Sequence, residues 1–179
     1  EQVQQGRFRE FYQTNVDVFG ASDPRADAEV LAVGAELLTD LGLTAADFEF
    51  RVSHRDILGS LLRSFDADVD LRAAIRAVDK SDKIEPAEYH DLLVGAGLSA
   101  DQAATFDDLL TTTDRESLDD LVAFAGSEET EAAVSNLRAV LDAIEAFGAD
   151  EYCELSLETA RGLDYYTGVV FECFDSTGE

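Results

Sequence analysis

The chain has 179 residues, of which 46% are hydrophobic and 29% are charged, and its formal net charge at pH 7 is −26. That apolar content is enough to build the core of one generous domain or two small ones, which excludes wholesale disorder. No run of about 18 apolar residues is present, which excludes a membrane-spanning helix. No signal peptide is visible, and the chain opens at Glu1 in the middle of a motif, so we expect a cytoplasmic protein of which this is an excised piece.

The negative charge is spread along the whole chain. The 39 acidic residues, against 13 basic ones, are interspersed among apolar residues at helical spacing. An acidic regulatory tail would instead concentrate them in one block. We therefore interpret the composition as adaptation to a very salty cytoplasm, where molar salt shortens the Debye length to roughly 3 Å. In such a solution, shape and hydrogen bonds would have to supply more of any contact with RNA.

Alternating residues from Arg7 to Phe19 predict a long strand. One face would be apolar and half-buried against helices, with Phe8, Tyr12, Val16 and Val18. The other face would be a row of polar groups, consisting of Arg7, Arg9, Gln13, Asn15 and Asp17.

Helix and strand signals then alternate. Asp23-Pro24 predicts a helix start. An apolar helical face follows, formed by Val30, Val33, Leu37 and Leu41, and Gly42 supplies the stop. Phe48 to Val52 alternates like a strand, and Arg55 to Phe65 has the spacing of a short amphipathic helix.

Residues 66–147 have helical spacing with short polar breaks, which predicts four or five helices, the last from Glu128 to Phe147. Alternation returns from Tyr152 to Leu157 and again from Val169 to Phe174. We therefore predict an α+β fold, in which an antiparallel sheet domain is interrupted by an all-helical insertion domain. The predicted boundaries are 1–65 for the first part of the sheet domain, 66–147 for the insertion and 148–179 for its second part.

The chain has no motif that predicts a bound metal ion or redox chemistry. Asp66 to Asp70 imitates a calcium loop, but Leu71 and Ala77 stand where that loop needs Gly and Glu. The only histidines, His54 and His90, are 36 residues apart, so no metal site is expected. Cys153 and Cys173 lack C-x-x-C spacing and are expected to be buried or free thiols.

Two motifs indicate chemistry. The first is Arg161-Gly162-Leu163-Asp164-Tyr165-Tyr166-Thr167-Gly168, and the second is Gly6-Arg7-Phe8-Arg9-Glu10-Phe11-Tyr12-Gln13 leading into Asn15-Val16-Asp17-Val18-Phe19-Gly20. The first closely resembles the histidine-binding signature of histidyl-tRNA synthetases. The second resembles the second half of motif 2 of class II aminoacyl-tRNA synthetases. Residues 79–83 are similar to the insertion of the archaeal and eukaryotic branch of that family.

The resemblance implies a class II catalytic sheet that carries ATP and L-histidine side by side. The histidine carboxylate attacks the α-phosphorus and pyrophosphate leaves, after which the amino acid is transferred to tRNA(His). ATP is then a substrate accompanied by Mg²⁺, and no bound cofactor is expected. The resemblance also implies a homodimeric parent enzyme whose helical insertion packs against the tRNA acceptor arm, with no membrane or DNA partner.

Site roles follow from the same resemblance. Arg161 matches the arginine that reaches the α-phosphate and the substrate carboxylate, the catalytic assignment. Asp17 and Tyr166 match the pair that hydrogen-bonds the two ring nitrogens of histidine, which fits an imidazole with one donor and one acceptor. Gln13 matches a contact to the α-amino group, and Tyr165 lines the pocket. On the ATP side, Glu1 matches a contact to adenine, and Arg7 and Arg9 match motif 2 arginines.

Motif 1, motif 3, the anticodon-binding domain and the first residues of motif 2 do not occur in the chain. We therefore expect this piece alone to be inactive. The main alternative is a non-catalytic relative, the regulatory subunit of ATP phosphoribosyltransferase, which keeps the fold but has less reason to keep Arg7, Arg9 and Arg161. A generic acidic interaction module would explain the helical middle but neither motif.

The charge predicts that folding depends on salt. Repulsion among 26 excess negative charges should destabilise the folded state below roughly 0.1 M salt, where the Debye length is about 10 Å. We expect the melting temperature to rise from low to molar KCl. A melting temperature that stays flat or falls over that range would contradict the salt-adaptation interpretation.

Overall fold

A computed structural model describes residues 10, 12–65, 68–160 and 167–176. Its described part contains seven α-helices and three strands. The first half comprises α1 (Pro24–Asp40), β1 (Phe48–His54), α2 (Arg55–Ser64), α3 (Leu71–Val78), a 3₁₀ turn (Ser81–Lys83) and α4 (Pro86–Gly95). The second half comprises α5 (Ala100–Thr112), α6 (Leu118–Ala125), α7 (Glu128–Phe147), a 3₁₀ turn (Asp150–Tyr152), β2 (Cys153–Leu155) and β3 (Val169–Asp175).

The three strands form a mixed sheet in the order β2-β1-β3. β1 pairs antiparallel with β3, whereas its pairing with β2 is parallel. The prediction of an antiparallel sheet is therefore correct for β1–β3 and wrong for β1–β2. The physical reason is the long helical connection between β1 and β2, because only a crossover of that kind can return the chain in the same direction.

The helical predictions are largely confirmed. Five helices follow α2, and α7 has the predicted bounds, with the predicted face buried: Val134, Leu137, Leu141 and Ile144. Asp23 caps α1 by accepting a hydrogen bond from the backbone N–H of Arg25, and Pro24 is the first helical residue. Side chains of the sheet, of α1 and α2, and of the helices α3 to α7 belong to one continuous cluster of buried residues.

The buried face of α1 is not the predicted one. Ala28, Leu31 and Ala35 are buried, whereas Val33, Leu37 and Leu41 are exposed. Small residues allow α1 to lie close to the sheet. At Gly34, an added Cβ would stand only 3.0 Å from Cζ of Phe50. Close approach therefore selected the small-residue face for the core and left the larger aliphatic face outside.

Among the glycines that the structure describes, Gly97 is the one whose backbone and surroundings both exclude a side chain. Its φ is +112°, and an added Cβ would stand 2.5 Å from the carbonyl oxygen of Asp68. Beside this approach of Gly97 to Asp68, the Asp70 N–H donates a hydrogen bond to the carbonyl of Ala96 at 2.8 Å. The end of α4 is thereby joined to the start of α3.

Replacing Gly97 by alanine should therefore destabilise the protein. We expect Gly97→Ala to lower the free energy of unfolding by about 1–3 kcal/mol, because the left-handed backbone and the Asp68 contact both resist the new Cβ. Gly95→Ala is the matched control. An added Cβ at Gly95, the last residue of α4, meets nothing within 4 Å. The control should be neutral or stabilising by up to about 1 kcal/mol. Urea unfolding in molar KCl checks both variants, and equal effects would contradict the steric argument.

Candidate functional site

Most of the predicted site residues lie outside the described part of the chain. These are Arg161, Tyr165 and Tyr166 of the histidine-binding motif, and Glu1, Arg7 and Arg9 on the predicted ATP side. Gln13 and Asp17 are described, as are Thr167 and Gly168 at the end of the histidine-binding motif.

The strand predicted for residues 7–19 is not formed over its described part, residues 12–19. Tyr12 is fully exposed, and Val16 and Val18 are 45% and 44% exposed, so the described part of the predicted apolar face is not buried. Gln13 Nε2 donates to Oδ1 of Asn15 at 2.6 Å. The physical reason is the absence of a ladder: β1 is occupied on both edges, and none of the described strands pairs with residues 12–19. Alternation in sequence provides a two-faced segment, but a strand also needs a hydrogen-bonded neighbour.

Asp17 nevertheless lies in a groove that also contains the strand after the histidine-binding motif. The groove has a volume of about 730 Å³, which is within the range of small-molecule sites. One wall is residues 14–17, a second is α1, and the third is the start of β3. Its lining consists of Thr14, Asn15, Val16, Asp17, Val30, Val33, Gly34, Leu37, Val169, Val170 and Phe171. The structure thus brings Asp17 towards the strand that follows the histidine-binding motif, although the two are about 150 residues apart in sequence.

The opposite face of the sheet is polar and carries an arginine that is not among the predicted site residues. Arg51 Nε donates to Oε1 of Glu49 at 2.6 Å, and its guanidinium lies 4.2 Å from the ring centre of Phe174. In the two ladders, Arg51 is opposite Glu154 and Glu172. The alternation Phe48-Glu49-Phe50-Arg51-Val52 was the available signal, because it places residues 49 and 51 on one face.

Beside Arg51, a cavity of about 260 Å³ lies between the polar face and the end of α5. Its polar lining includes Thr111, Thr113, Ser156 and Glu158. Burial raises the pKa of Glu158, and the nearby carboxylates Asp82 and Asp107 raise it further, while Arg51 opposes the change. Among the lining residues, Glu154 and Glu158 outnumber the one guanidinium, that of Arg51, so this cavity favours a cation over the phosphate of a nucleotide.

The histidine-binding motif ends against the junction between β1 and α2. The Arg55 N–H donates to the carbonyl of Gly168 at 2.8 Å, and His54 is opposite Val169 in the antiparallel ladder. Gly168 has a φ of +71°. Next to this junction, the buried Ser53 Oγ has no hydrogen-bond partner among the described residues. The end of the motif is therefore held by backbone contacts with β1 and α2.

Both motifs and the fold agree with the comparisons to known proteins. A family model described as histidyl-tRNA synthetase matches residues 1–179. The chain belongs to the histidyl-tRNA synthetase family. It is 70% identical to a histidine–tRNA ligase of Halobacterium salinarum and 68% identical to one of Natronomonas pharaonis, in each case over 179 residues. Those alignments cover 100% of this chain and 41% of each relative, so the chain spans less than half of their length.

Solved structures show the same fold. Histidyl-tRNA synthetase from Nostoc sp. PCC 7120 superposes with a TM-score of 0.77 at 24% identity, covering 86% of this chain and 37% of that one. A Bacillus halodurans protein titled as an ATP phosphoribosyltransferase regulatory subunit/histidyl-tRNA synthetase gives 0.71 at 23% identity, covering 87% and 40%. At these identities the likeness shows a shared fold and nothing more. The choice between a histidine–tRNA ligase and a regulatory subunit therefore depends on the sequence relatives. The relatives of high identity are named histidine–tRNA ligase and come from halophilic archaea, which does not favour the regulatory-subunit alternative.

Among the described residues, no helix combines the length and the apolar character that crossing a bilayer requires.

Proposed function

We propose that this chain is the central part of the catalytic region of a histidine–tRNA ligase, which activates L-histidine with ATP and transfers it to tRNA(His). The observation that supports this most strongly is the identity of 68–70% with relatives named histidine–tRNA ligase, which extends over the whole chain and therefore over both motifs. The parent enzyme is proposed to be a homodimer. This piece alone is proposed to be inactive, because motif 3 and its ATP-binding arginine do not occur in it.

The first step joins a carboxylate oxygen of histidine to the α-phosphorus of ATP and breaks the bond from that phosphorus to the bridging oxygen. Pyrophosphate leaves with the electron pair, and Mg²⁺ accompanies ATP as part of the substrate. Little covalent chemistry is asked of the protein, which positions the reactants and neutralises charge. Arginine suits this role because its planar fork stays charged and pairs bidentately with phosphate or carboxylate.

The proposed roles divide between the two motifs. Arg161 neutralises charge on the α-phosphate and holds the substrate carboxylate. Asp17 accepts a hydrogen bond from one ring nitrogen of histidine and Tyr166 donates to the other, while Tyr165 lines the pocket. Gln13 accepts a hydrogen bond from the α-amino group through Oε1, while its Nε2 keeps its bond to Asn15. Glu1 contacts adenine, and Arg7 and Arg9 hold the phosphates of ATP.

The groove supports the role of Asp17. Asp17 and Val169 both line it, and Val169 is the first residue of β3, which follows the end of the histidine-binding motif. An acidic acceptor there, combined with the hydroxyl of Tyr166, would form hydrogen bonds with both ring nitrogens of a neutral imidazole. A hydrogen-bonding pocket of this kind discriminates strongly, because a substrate that lacks the groups leaves buried polar atoms unpaired.

Asp17→Asn in the parent enzyme should weaken histidine selection more than ATP binding. Loss of an acidic acceptor facing a ring N–H should cost on the order of 1.5–3 kcal/mol, and the histidine dependence of ATP–pyrophosphate exchange at fixed ATP measures it. Asp40→Asn, the same change at an exposed position at the end of α1, is the control. If Asp17→Asn leaves both KM and kcat for histidine unchanged, Asp17 lies outside the pocket.

Arg161→Ala in the parent enzyme should lower kcat for adenylate formation by about 10²–10³, because an electrostatic contact that strengthens in the transition state is lost. The KM for ATP should change far less, since Arg7 and the motif 3 arginine still hold the triphosphate. Arg161→Lys should recover only part of the rate, because lysine supplies charge without the fork. Single-turnover adenylate formation measures the chemical step directly.

The control for Arg161→Ala is Arg25→Ala, which removes an exposed arginine paired with Asp23 at the start of α1. It should leave the chemical step unchanged. A near-normal single-turnover rate combined with poor ATP affinity would make Arg161 a binding residue and would refute its catalytic role.

A further inference from the structure

The junction of β1 and α2 determines where the histidine-binding motif ends. The Arg55 N–H holds the carbonyl of Gly168 at 2.8 Å, and the ladder pairs His54 with Val169. Gly168 is two residues beyond Tyr166, which is proposed to contact the substrate ring. Any shift of the backbone at residues 54 and 55 is therefore passed directly to the end of the motif.

The imidazole of His54 fixes the backbone of this junction. His54 is the last residue of β1 and the N-cap of α2, with extended dihedrals of φ −136° and ψ 115°. Its Nδ1 accepts a hydrogen bond from the Asp56 N–H at 3.3 Å, in the manner of a capping side chain. Only a neutral imidazole can accept at Nδ1, since both ring nitrogens donate in the protonated form.

Side chains from three helices surround this imidazole, which is only 3% exposed. Asp27 of α1 and Asp56 of α2 are the charged groups that face it, and Asn136 of α7 hydrogen-bonds it. Burial lowers the pKa of His54 below its ordinary value, and this effect exceeds the opposing attraction of the two carboxylates. Burial likewise raises the pKa of Asp27, which His54 counteracts. The neutral imidazole thus links β1, α1, α2 and α7 at one point.

We propose that His54 is a positioning residue for histidine binding: its neutral imidazole holds the β1–α2 junction, and the Arg55 N–H of that junction holds the end of the histidine-binding motif. This inference rests on the proposed function. His54 contributes no atom to the reaction and acts through the backbone of Arg55 and Gly168. A displacement of about 1 Å at a binding segment can reduce activity about 10²-fold, so a lost cap can produce a measurable change in substrate binding.

The test compares His54→Leu, which removes the acceptor, with His54→Asn, which retains a side-chain oxygen suited to an N-cap. In the parent enzyme, we expect His54→Leu to raise the histidine KM about tenfold in ATP–pyrophosphate exchange while the ATP KM changes less than twofold. His54→Asn should restore most of the histidine affinity. Measurements are made well below the melting temperature of the least stable variant.

Ser99→Ala is the matched control for lost stability. Ser99 caps α5, where its side chain accepts from the Gln102 N–H, and it is remote in sequence from both motifs. This variant should lower the melting temperature while leaving the histidine KM unchanged.

The pH dependence provides a readout that a purely structural role would not move. Burial holds the folded-state pKa of His54 below its ordinary value of 6.5, so protonation removes the Nδ1 acceptor in the folded protein only as pH falls through that lowered pKa. The unfolded chain binds this proton first, so folded-state stability already begins to fall as pH drops below about 6.5. We expect log(kcat/KM) for histidine to fall more steeply at acidic pH in the wild type than in His54→Asn. Substrate histidine titrates equally in both, so the difference between the profiles reports His54.

The inference is overturned if His54→Leu keeps the wild-type histidine KM, or if it raises the histidine and ATP KM values equally. If His54→Leu does not fold, identical pH profiles of the wild type and His54→Asn overturn it instead. A wild-type parent with no histidine-dependent exchange would refute the proposed function itself. If the wild-type parent shows histidine-dependent exchange but substitution of His54 does not change the histidine KM, the inference fails and the proposed function stands.

Discussion

The double pairing of β1 is the constraint on which the rest of the described structure depends. Among the described strands it alone has neighbours on both edges, and Phe50 is opposite both Cys153 of β2 and Cys173 of β3. On its helix-facing side, Phe48, Phe50 and Val52 are buried. Strand β1 therefore orders two segments that come from the other end of the chain, roughly 100 residues away. The close fit of Phe50 against Gly34 then fixes how α1 lies on the sheet.

Local rules predicted the helices well because their signals are local. The caps, the glycine stops and the period of 3.6 residues determine the bounds of α7 and the start of α1 without reference to the rest of the chain. The buried face of α1 was not predictable in this way, because both of its faces are apolar. The space available beside Phe50 determines which face is buried. That space depends on the tertiary structure, which local sequence does not reveal. The parallel pairing of β1 and β2 was missed for a similar reason, since strand direction depends on the path of the connection.

For the site, sequence identified the family through two motifs, and the family match and the identities confirm it. The role of each site residue stays a prediction. What sequence could not supply is the way in which remote segments are held. The hydrogen bond from Arg55 to Gly168 joins backbone atoms, so the residue types at these positions do not predict it. The sequence suggests only a metal-ligand role to test for His54, because an N-cap that supports another segment has no distinctive spacing.

Charge distribution clarifies why such backbone contacts matter in this protein. Basic residues number 13 against 39 acidic ones, and several arginines join different elements. Arg63 pairs with Glu129 of α7, Arg115 with Asp142 and Glu145, and Arg138 with Asp119 of α6. These pairs are substantially exposed, and exposed pairs contribute little once salt screens them. The salt-adaptation interpretation therefore implies that a protein with a net charge of −26 fixes its segments by burial and short hydrogen bonds. The same reasoning applies to the proposed substrate recognition, because concentrated salt screens electrostatic attraction over distance. Only groups in direct contact, such as a paired carboxylate and hydroxyl or a bidentate guanidinium, retain their selectivity.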